Sequence, residues 1–245
     1  MNLSEALKSL PDTTGCVVNL SGGLDSTIAM RICIERYGAH NVRALSFFYG
    51  QKQWKELLKA GQSTAFYNVD HKILNLEVLE QISKGFSANV DENIEMPTIK
   101  EVLGDPRPKT YVPNRNMILM SIAAGYAETQ NIDTIIMGLQ VHDEYNYHDT
   151  TARFVEKIND VLAENRMIKI KVIAPFSELS KRDELNILRE LEGNLNLAAM
   201  THTCYNPVGE YGLACGKCPS CAERIKAFRD IGEQDPILYD MHIKW

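Results

Sequence analysis

Apolar residues recur along this chain in two alternating rhythms. Five short runs dense in β-branched and aliphatic residues read as strands: 16–20 (CVVNL), 42–49 (VRALSFFY), 71–76 (HKILNL), 134–139 (TIIMGL) and 168–176 (IKIKVIAPF). Between them the pattern lengthens to a helical period over 26–37, 52–67, 115–130, 150–165 and 180–191, and an amphipathic helix is expected within 1–15. Strands alternating with helices predict an α/β fold, a doubly wound, five-stranded parallel sheet covered on both faces. Ligands of such sheets bind beyond the carboxyl ends of the strands. One stretch breaks the rhythm. Residues 84–114 carry Pro97, Pro106, Pro108 and Pro113 without sustained periodicity, which predicts a functional lid or a mobile insertion. Two units are expected, an α/β domain over 1–195 and a small C-terminal segment with a helix over 196–245.

Composition narrows the class. With 44% hydrophobic residues the 245-residue chain can bury a sizeable core. A net charge of −6 argues against a sequence-independent grip on nucleic acid. No apolar run approaches the ~20 residues of a membrane span, and the N-terminus lacks the apolar stretch of a signal peptide, so a cytoplasmic protein is expected. Cys16 and Cys33 fall in a strand and a helix, as small buried hydrophobes would.

The first strand runs into Ser21-Gly22-Gly23-Leu24-Asp25-Ser26-Thr27 and then directly into a helix. A glycine turn at a helix N-terminus offers free N–H groups and partial positive charge to an anion, and the hydroxyls of Ser21, Ser26 and Thr27 add donors. Neither GxxxxGK[ST] nor GxGxxG is present. A plain turn capped by Ser26 is the bland alternative, but it leaves Asp25 unexplained. A carboxylate beside phosphate needs a bridging cation.

Cys204, Cys215, Cys218 and Cys221 follow the pattern C-x10-C-x2-C-x2-C. Four thiolates close a tetrahedral zinc shell and leave no open position, which makes the site structural. An iron–sulfur cluster competes, because CxxCxxC and a Cys-Pro pair also occur in ferredoxins.

SGGLDST resembles the SGGxDS loop of PP-loop ATP pyrophosphatases, whose fold is adenine nucleotide alpha hydrolase-like. Further stretches are similar to the 7-cyano-7-deazaguanine synthase family: FFYGQKQWKE (47–56) to HYNQRHxxE, TYVPNRNMIL (110–119) to TFVPGRN, and APFSELSKRDELNILRELEG (174–193) to TPLxxLsKxExxxLAxxLG. THTCYNPVGEYGLACGKCPSCAERIKAF, near the C-terminus, resembles that family's zinc segment with its TCYN and CGxCxxC. The resemblance covers roughly residues 16–228.

What the resemblance implies is a carbon–nitrogen ligase that uses ATP with Mg²⁺, carries structural Zn²⁺, and joins a deazapurine acid to ammonia. The carboxylate attacks the α-phosphate, ammonia displaces AMP to give an amide, and a second activation yields a nitrile for queuosine in tRNA or a deazaguanine in DNA. It implies nucleotide contacts from Leu20, Ser21, Gly22, Gly23, Leu24, Asp25, Ser26, Thr27, Asn116 and Gly138. Asp25, Arg115 and Lys181 become catalytic candidates; the bland readings of the last two are a helix-start salt bridge and a solvated lysine. Tyr49, Gln51, Asp143, Tyr147 and Asp149 become substrate candidates. No membrane and no stable nucleic-acid partner are expected, and a homodimer is.

One loop departs from the family pattern. GxxxxDxSGYPDCRxxF becomes GLQVHDEYNYHDTTARF over 138–154, with Tyr145-Asn146 for Ser-Gly, His148 for Pro and Thr150-Thr151 for Cys-Arg. The loop is expected to face the deazapurine, where the Asp143 carboxylate suits a guanine-like edge. A solvated loop, or a second metal held by His142, Asp143, Glu144, His148 and Asp149, are the alternatives. A ligase that stops at the amide or serves another acceptor, and a nucleotide-binding module without turnover, are the rival functions.

Overall fold

The computed structural model describes residues 2–103, 105, 107–140 and 147–245. Helix α1 (Leu3–Ser9) opens it, held by a capping box in which Asn2 and Glu5 bond each other's backbone N–H. Then follow β1 (Cys16–Asn19), α2 (Leu24–Tyr37), β2 (Val42–Phe48), α3 (Lys55–Tyr67) and β3 (Asp70–Asn75). After α4 (Glu77–Ser83) and α5 (Ile99–Val102) come α6 (Arg115–Thr129), β4 (Thr134–Met137), α7 (Ala152–Leu162), β5 (Lys171–Ile173), α8 (Lys181–Glu192) and α9 (Pro219–Asp230).

All five strands pair in parallel, in the order β3-β2-β1-β4-β5. The doubly wound sheet expected from the alternating pattern is therefore present. β1 and β4 are buried at every position, which is why their sequences are continuous apolar runs rather than alternations. Cys16 and Val18 pack on one face with α1, α2 and α8, while Val17 packs on the other with α6 and α7. Cys16 and Cys33 are both fully buried in that first core, as their flanking residues led one to expect. Strand order reverses beside β1: β2 lies on one side and β4 on the other. The crevice beyond the carboxyl ends of β1 and β4 is thus the topological switch point.

Residues 84–114 pack more tightly than their prolines suggest. Ser87, Ala88, Asn89, Val90 and Asp91 are buried. Ala88 N–H donates to Lys109 C=O at 2.7 Å, and Asn89 Nδ2 to Thr110 C=O at 2.7 Å. The C-terminal segment is joined to the sheet in the same way. Ala227 and Phe228 of α9 enter the core formed by α2 and α8, while Cys218 and Cys221 at the start of α9 belong to a separate cysteine cluster. No described helix is long and apolar enough to cross a membrane.

Candidate active site

The turn after β1 is shaped by two glycines that no other residue replaces. Gly22 has φ +89°, and a Cβ there would lie 1.9 Å from the Glu56 carbonyl oxygen on α3. Its own carbonyl accepts His202 N–H at 2.9 Å, so the turn is stapled from the C-terminal segment. Gly138, just past β4, would bring a Cβ to 2.7 Å from the Ser26 nitrogen. Both glycines keep main chain close to main chain, and the mouth between β1 and β4 stays narrow.

Within the turn the hydroxyls and N–H groups converge. Ser21 Oγ and Ser26 Oγ are 2.9 Å apart, and Gly23 N–H donates to Ser21 Oγ at 3.1 Å. The first N–H groups of α2 have no helical acceptor, as at any helix start, and supply positive potential to the cavity that Ser21, Gly23, Asp25 and Ser26 wall. Leu20 and Leu24 are different: their side chains are buried in the core, leaving only backbone to offer a ligand. Thr27 Oγ1 donates to Gly23 C=O at 2.7 Å, so its hydroxyl serves the helix start.

Asp25 is not alone. Lys181 Nζ, at the start of α8, lies 2.6 and 2.8 Å from its two carboxylate oxygens. Lys181 is 7% exposed, which overturns the solvated-lysine reading. Burial by itself lowers the Lys181 pKa, but the Asp25 and Glu184 carboxylates outweigh it and hold the ammonium above its ordinary range. Glu184, fully buried one turn along α8, receives a hydrogen bond from Gln140 Nε2. Burial and the charge of Asp25 push its carboxyl well above the usual range.

Arg115 opens α6 on the opposite wall. Burial opposes its charge, but Tyr49, Asp149 and Tyr205 outweigh that and keep it cationic. Asn114 precedes it at φ +50°, where the family motif has glycine; asparagine tolerates this left-handed backbone better than most residues. Asn114 makes no side-chain cap. Asp149 does that work from a distance: its carboxylate accepts Asn116 N–H at 3.1 Å, and Asn116 Nδ2 returns a bond to Asp149 C=O at 3.0 Å. Tyr147 bonds Thr110 Oγ1 and stacks on Tyr111.

Two adjoining cavities result. Asp25, Arg115, Gly138, Leu139, Tyr205 and Ser220 border both. The first, beside the turn, also takes in Phe47, Tyr49, Gln51, Asn116 and Met137. The second is walled by Thr110, Tyr147, Asp149, Lys181 and Glu223. Gln51 largely braces its own turn, accepting Tyr49 N–H at 2.7 Å and donating to Phe47 C=O at 2.9 Å. Asp143, with the rest of 141–146, lies outside the described residues. Sequence reasoning passed over Tyr205, Ser220, Glu223, Gln140 and Glu184. The first three stand among or beside the cysteines, whose metal-ligand spacing is the stronger signal in that stretch.

The four thiols come together. The Sγ atoms of Cys204, Cys215, Cys218 and Cys221 all lie within 4.8 Å of one another, and all four residues are buried. A zinc tetrahedron, with Zn–S of about 2.3 Å, needs sulfurs about 3.8 Å apart. Backbone N–H groups of Asn206 and Cys215 point at Cys204 Sγ at 3.3 and 3.2 Å, and that of Cys218 at Cys215 Sγ at 3.3 Å. Such donors stabilise thiolates, so the donor set fits a metal ion.

Comparison with known proteins agrees with this geometry. The sequence model of the family described as "Queuosine biosynthesis protein QueC" matches residues 15–232. The chain is 36% identical over 224 residues to 7-cyano-7-deazaguanine synthase of Pseudoalteromonas atlantica, covering 91% of this chain and 98% of that one. It is 36% identical over 226 residues to the synthase of Oceanobacillus iheyensis, covering 91% and 97%. Among solved structures, the U34-tRNA thiolase NcsA of Methanococcus maripaludis superposes with a TM-score of 0.54 at 17% identity, covering 94% of this chain and 72% of that one. That likeness bears on the fold alone. On the extent of the match and the length shared with these relatives, the chain belongs to the QueC family of queuosine biosynthesis proteins.

Proposed function

We propose that this protein is an ATP-dependent ligase that converts 7-carboxy-7-deazaguanine and ammonia into 7-cyano-7-deazaguanine through an adenylated intermediate. The observation that carries the reading is the shared wall. An anion-binding turn and a polar chamber meet at Asp25, Arg115 and Gly138. A nucleotide whose phosphates rest on residues 21–26 would present its α-phosphate to an acid held in the chamber. The family match and the relatives' name support the choice of acid and product.

In this scheme Ser21, Gly22, Gly23 and Ser26 hold the phosphates, and Leu20, Leu24, Thr27, Asn116 and Gly138 shape the nucleotide pocket. Asp25 supplies hard oxygen donors suited to Mg²⁺, which neutralises phosphate charge when bound. Lys181 orients the Asp25 carboxylate and adds positive charge near the leaving pyrophosphate. Arg115, fixed at the start of α6 by neighbouring Asn116 and Asp149, faces charge developing on the α-phosphate. Tyr147 and Asp149 wall the acid, Tyr49, braced by Gln51, stands in the adjoining cavity toward it, and Asp143 reads its guanine-like edge. We further propose residues 1–195 as the catalytic unit and 196–245 as a zinc-bound brace, acting as a cytoplasmic homodimer without membrane or stable nucleic-acid partner.

One observation favours a second reading, a ligase that stops at the amide. Thr151 stands where the family pattern has arginine, and its Oγ1 accepts Phe154 N–H at 3.1 Å as the N-cap of α7. Mass spectrometry of the product from 7-carboxy-7-deazaguanine, ATP and ammonium separates the two. A nitrile mass is expected; an amide mass would replace the first reading with the second, and no AMP release would defeat both. Elemental analysis of purified protein is expected to find about one zinc per chain, because four thiolates saturate one tetrahedral ion. Bound iron with visible absorbance would instead assign the cysteines to a cluster.

A further inference from the structure

The C-terminal segment brings two hydroxyls to the wall that both cavities share, and the ligase scheme gives neither a task. Tyr205 and Ser220 border the cavity beside the turn and the chamber alike. Each adjoins the thiol cluster in sequence: Tyr205 follows Cys204, and Ser220 precedes Cys221. Ser220 is only 8% exposed, yet neither its Oγ nor Tyr205 Oη makes a hydrogen bond among the described residues. A hydroxyl so deeply placed without a partner is uncommon, and on a cavity wall it calls for a ligand atom. The main chain points the same way. Pro219 opens α9 and has no N–H, and the first N–H of the helix to reach a carbonyl is that of Ala222, onto Cys218 C=O at 3.0 Å. The N–H groups of Ser220 and Cys221 find no acceptor among the described residues. They carry the partial positive charge of a 12-residue helix at its start.

Building on the ligase reading, we propose that Tyr205, through its hydroxyl, and Ser220, through its hydroxyl and N–H, form an oxyanion site for the acyl carbonyl. With the acid in the chamber and the α-phosphate in the adjoining cavity, the reacting carboxyl sits at their common wall. Ammonia forms the C–N bond with its lone pair, and the C=O π pair moves onto oxygen, which becomes negative. Return of that pair breaks the C–O bond to AMP, and the nitrogen gives a proton to water or to a second ammonia. Donors aimed at this oxygen gain strength as its charge grows, so they speed the ammonia step more than adenylation. Arg115 and Tyr205 lie near enough to feel one another's charge, which sets the phenol beside the group assigned to the α-phosphate. The thiol cluster fixes residues 204 and 218–221, and thereby fixes both donors.

The test compares Tyr205→Phe and Ser220→Ala with the wild-type chain. Acid-dependent ATP–pyrophosphate exchange without ammonium reads the first half-reaction. Adenylate formed beforehand is then mixed with ammonium, and its conversion to amide is timed by rapid quench. Tyr205→Phe keeps the ring and should slow amide formation about a hundredfold, the usual order for one missing oxyanion donor. Ser220→Ala should slow it less, because the Ser220 N–H remains. Exchange should stay within about threefold in both, which also shows that each variant has folded. Equal loss of exchange and amide formation overturns the proposal by placing the hydroxyls with ground-state binding, and so does an unchanged amide rate. Slowing that vanishes at high ammonium overturns it too, by assigning the groups to ammonia binding. Absence of acid-dependent exchange in the wild-type chain would defeat the ligase reading itself, and the proposal with it.

Discussion

Asp25→Asn is expected to reduce pyrophosphate release from ATP by about a hundred- to a thousandfold, the usual effect of deleting one charge-stabilising group from an active site. The structure adds a complication. Asp25 is the partner of buried Lys181, so the substitution also strands an ammonium in a poorly solvated place. Breaking a buried pair costs about 3–5 kcal/mol, and with the Asp25 side chain 24% exposed the loss should fall toward about 2–3 kcal/mol. For a chain of this size that is a drop of about 4–12 °C in Tm. Lys181→Met in the same molecule removes the stranded charge. The double variant should therefore recover most of the melting temperature and none of the turnover. Recovered pyrophosphate release would mean that Asp25 serves only to neutralise Lys181.

Arg224→Met is expected to have the largest effect on stability. This side chain is fully buried, and its guanidinium forks onto Asp235 at 2.6 and 2.8 Å. It donates further to Thr201 Oγ1 at 2.6 Å and to Ala198 C=O at 2.9 Å. Removing it leaves Asp235 buried without its counter-charge, held among the described residues by Tyr239 O–H at 2.7 Å and the Ile237 N–H at 3.3 Å. The expected loss is about 3–5 kcal/mol, or about 6–20 °C in Tm by calorimetry. Replacing Asp235 by leucine in that background should recover part of it, because the cost lies in the orphaned charge. A single variant melting within about 2 °C of the parent would show that the network contributes little.

Periodicity carried most of the fold. Each strand read from apolar runs matches an observed strand within a few residues, and β1 and β4, buried on both faces, carry polar residues only at their ends. Helices α4 and α5 escaped notice, being seven and four residues long and too short to show a period. The phosphate turn and the cysteine set were legible because each is local in sequence. What was hidden is long-range. Asp25 and Lys181 are 156 positions apart, and nothing in either stretch announces the other. Burial hid more: Asn19 reads as one polar residue in an apolar strand, and Gln53 as the start of a helix. Only packing shows their amide atoms unpartnered.

The brace on the turn at residues 21–27 ties it to residues made much later in the chain. Gly22 C=O is held by His202 N–H, and the segment from Ala198 to Thr203 is held by Arg224, which itself waits for Asp235. The last of the five strands ends at Ile173, some sixty residues before that anchor. A nascent chain can therefore assemble its sheet early, domains generally folding from the N-terminal end, while its phosphate turn stays unlatched. The backbone bond that holds Gly22 therefore depends on a network closed by Asp235, more than two hundred positions along the chain from the turn it steadies.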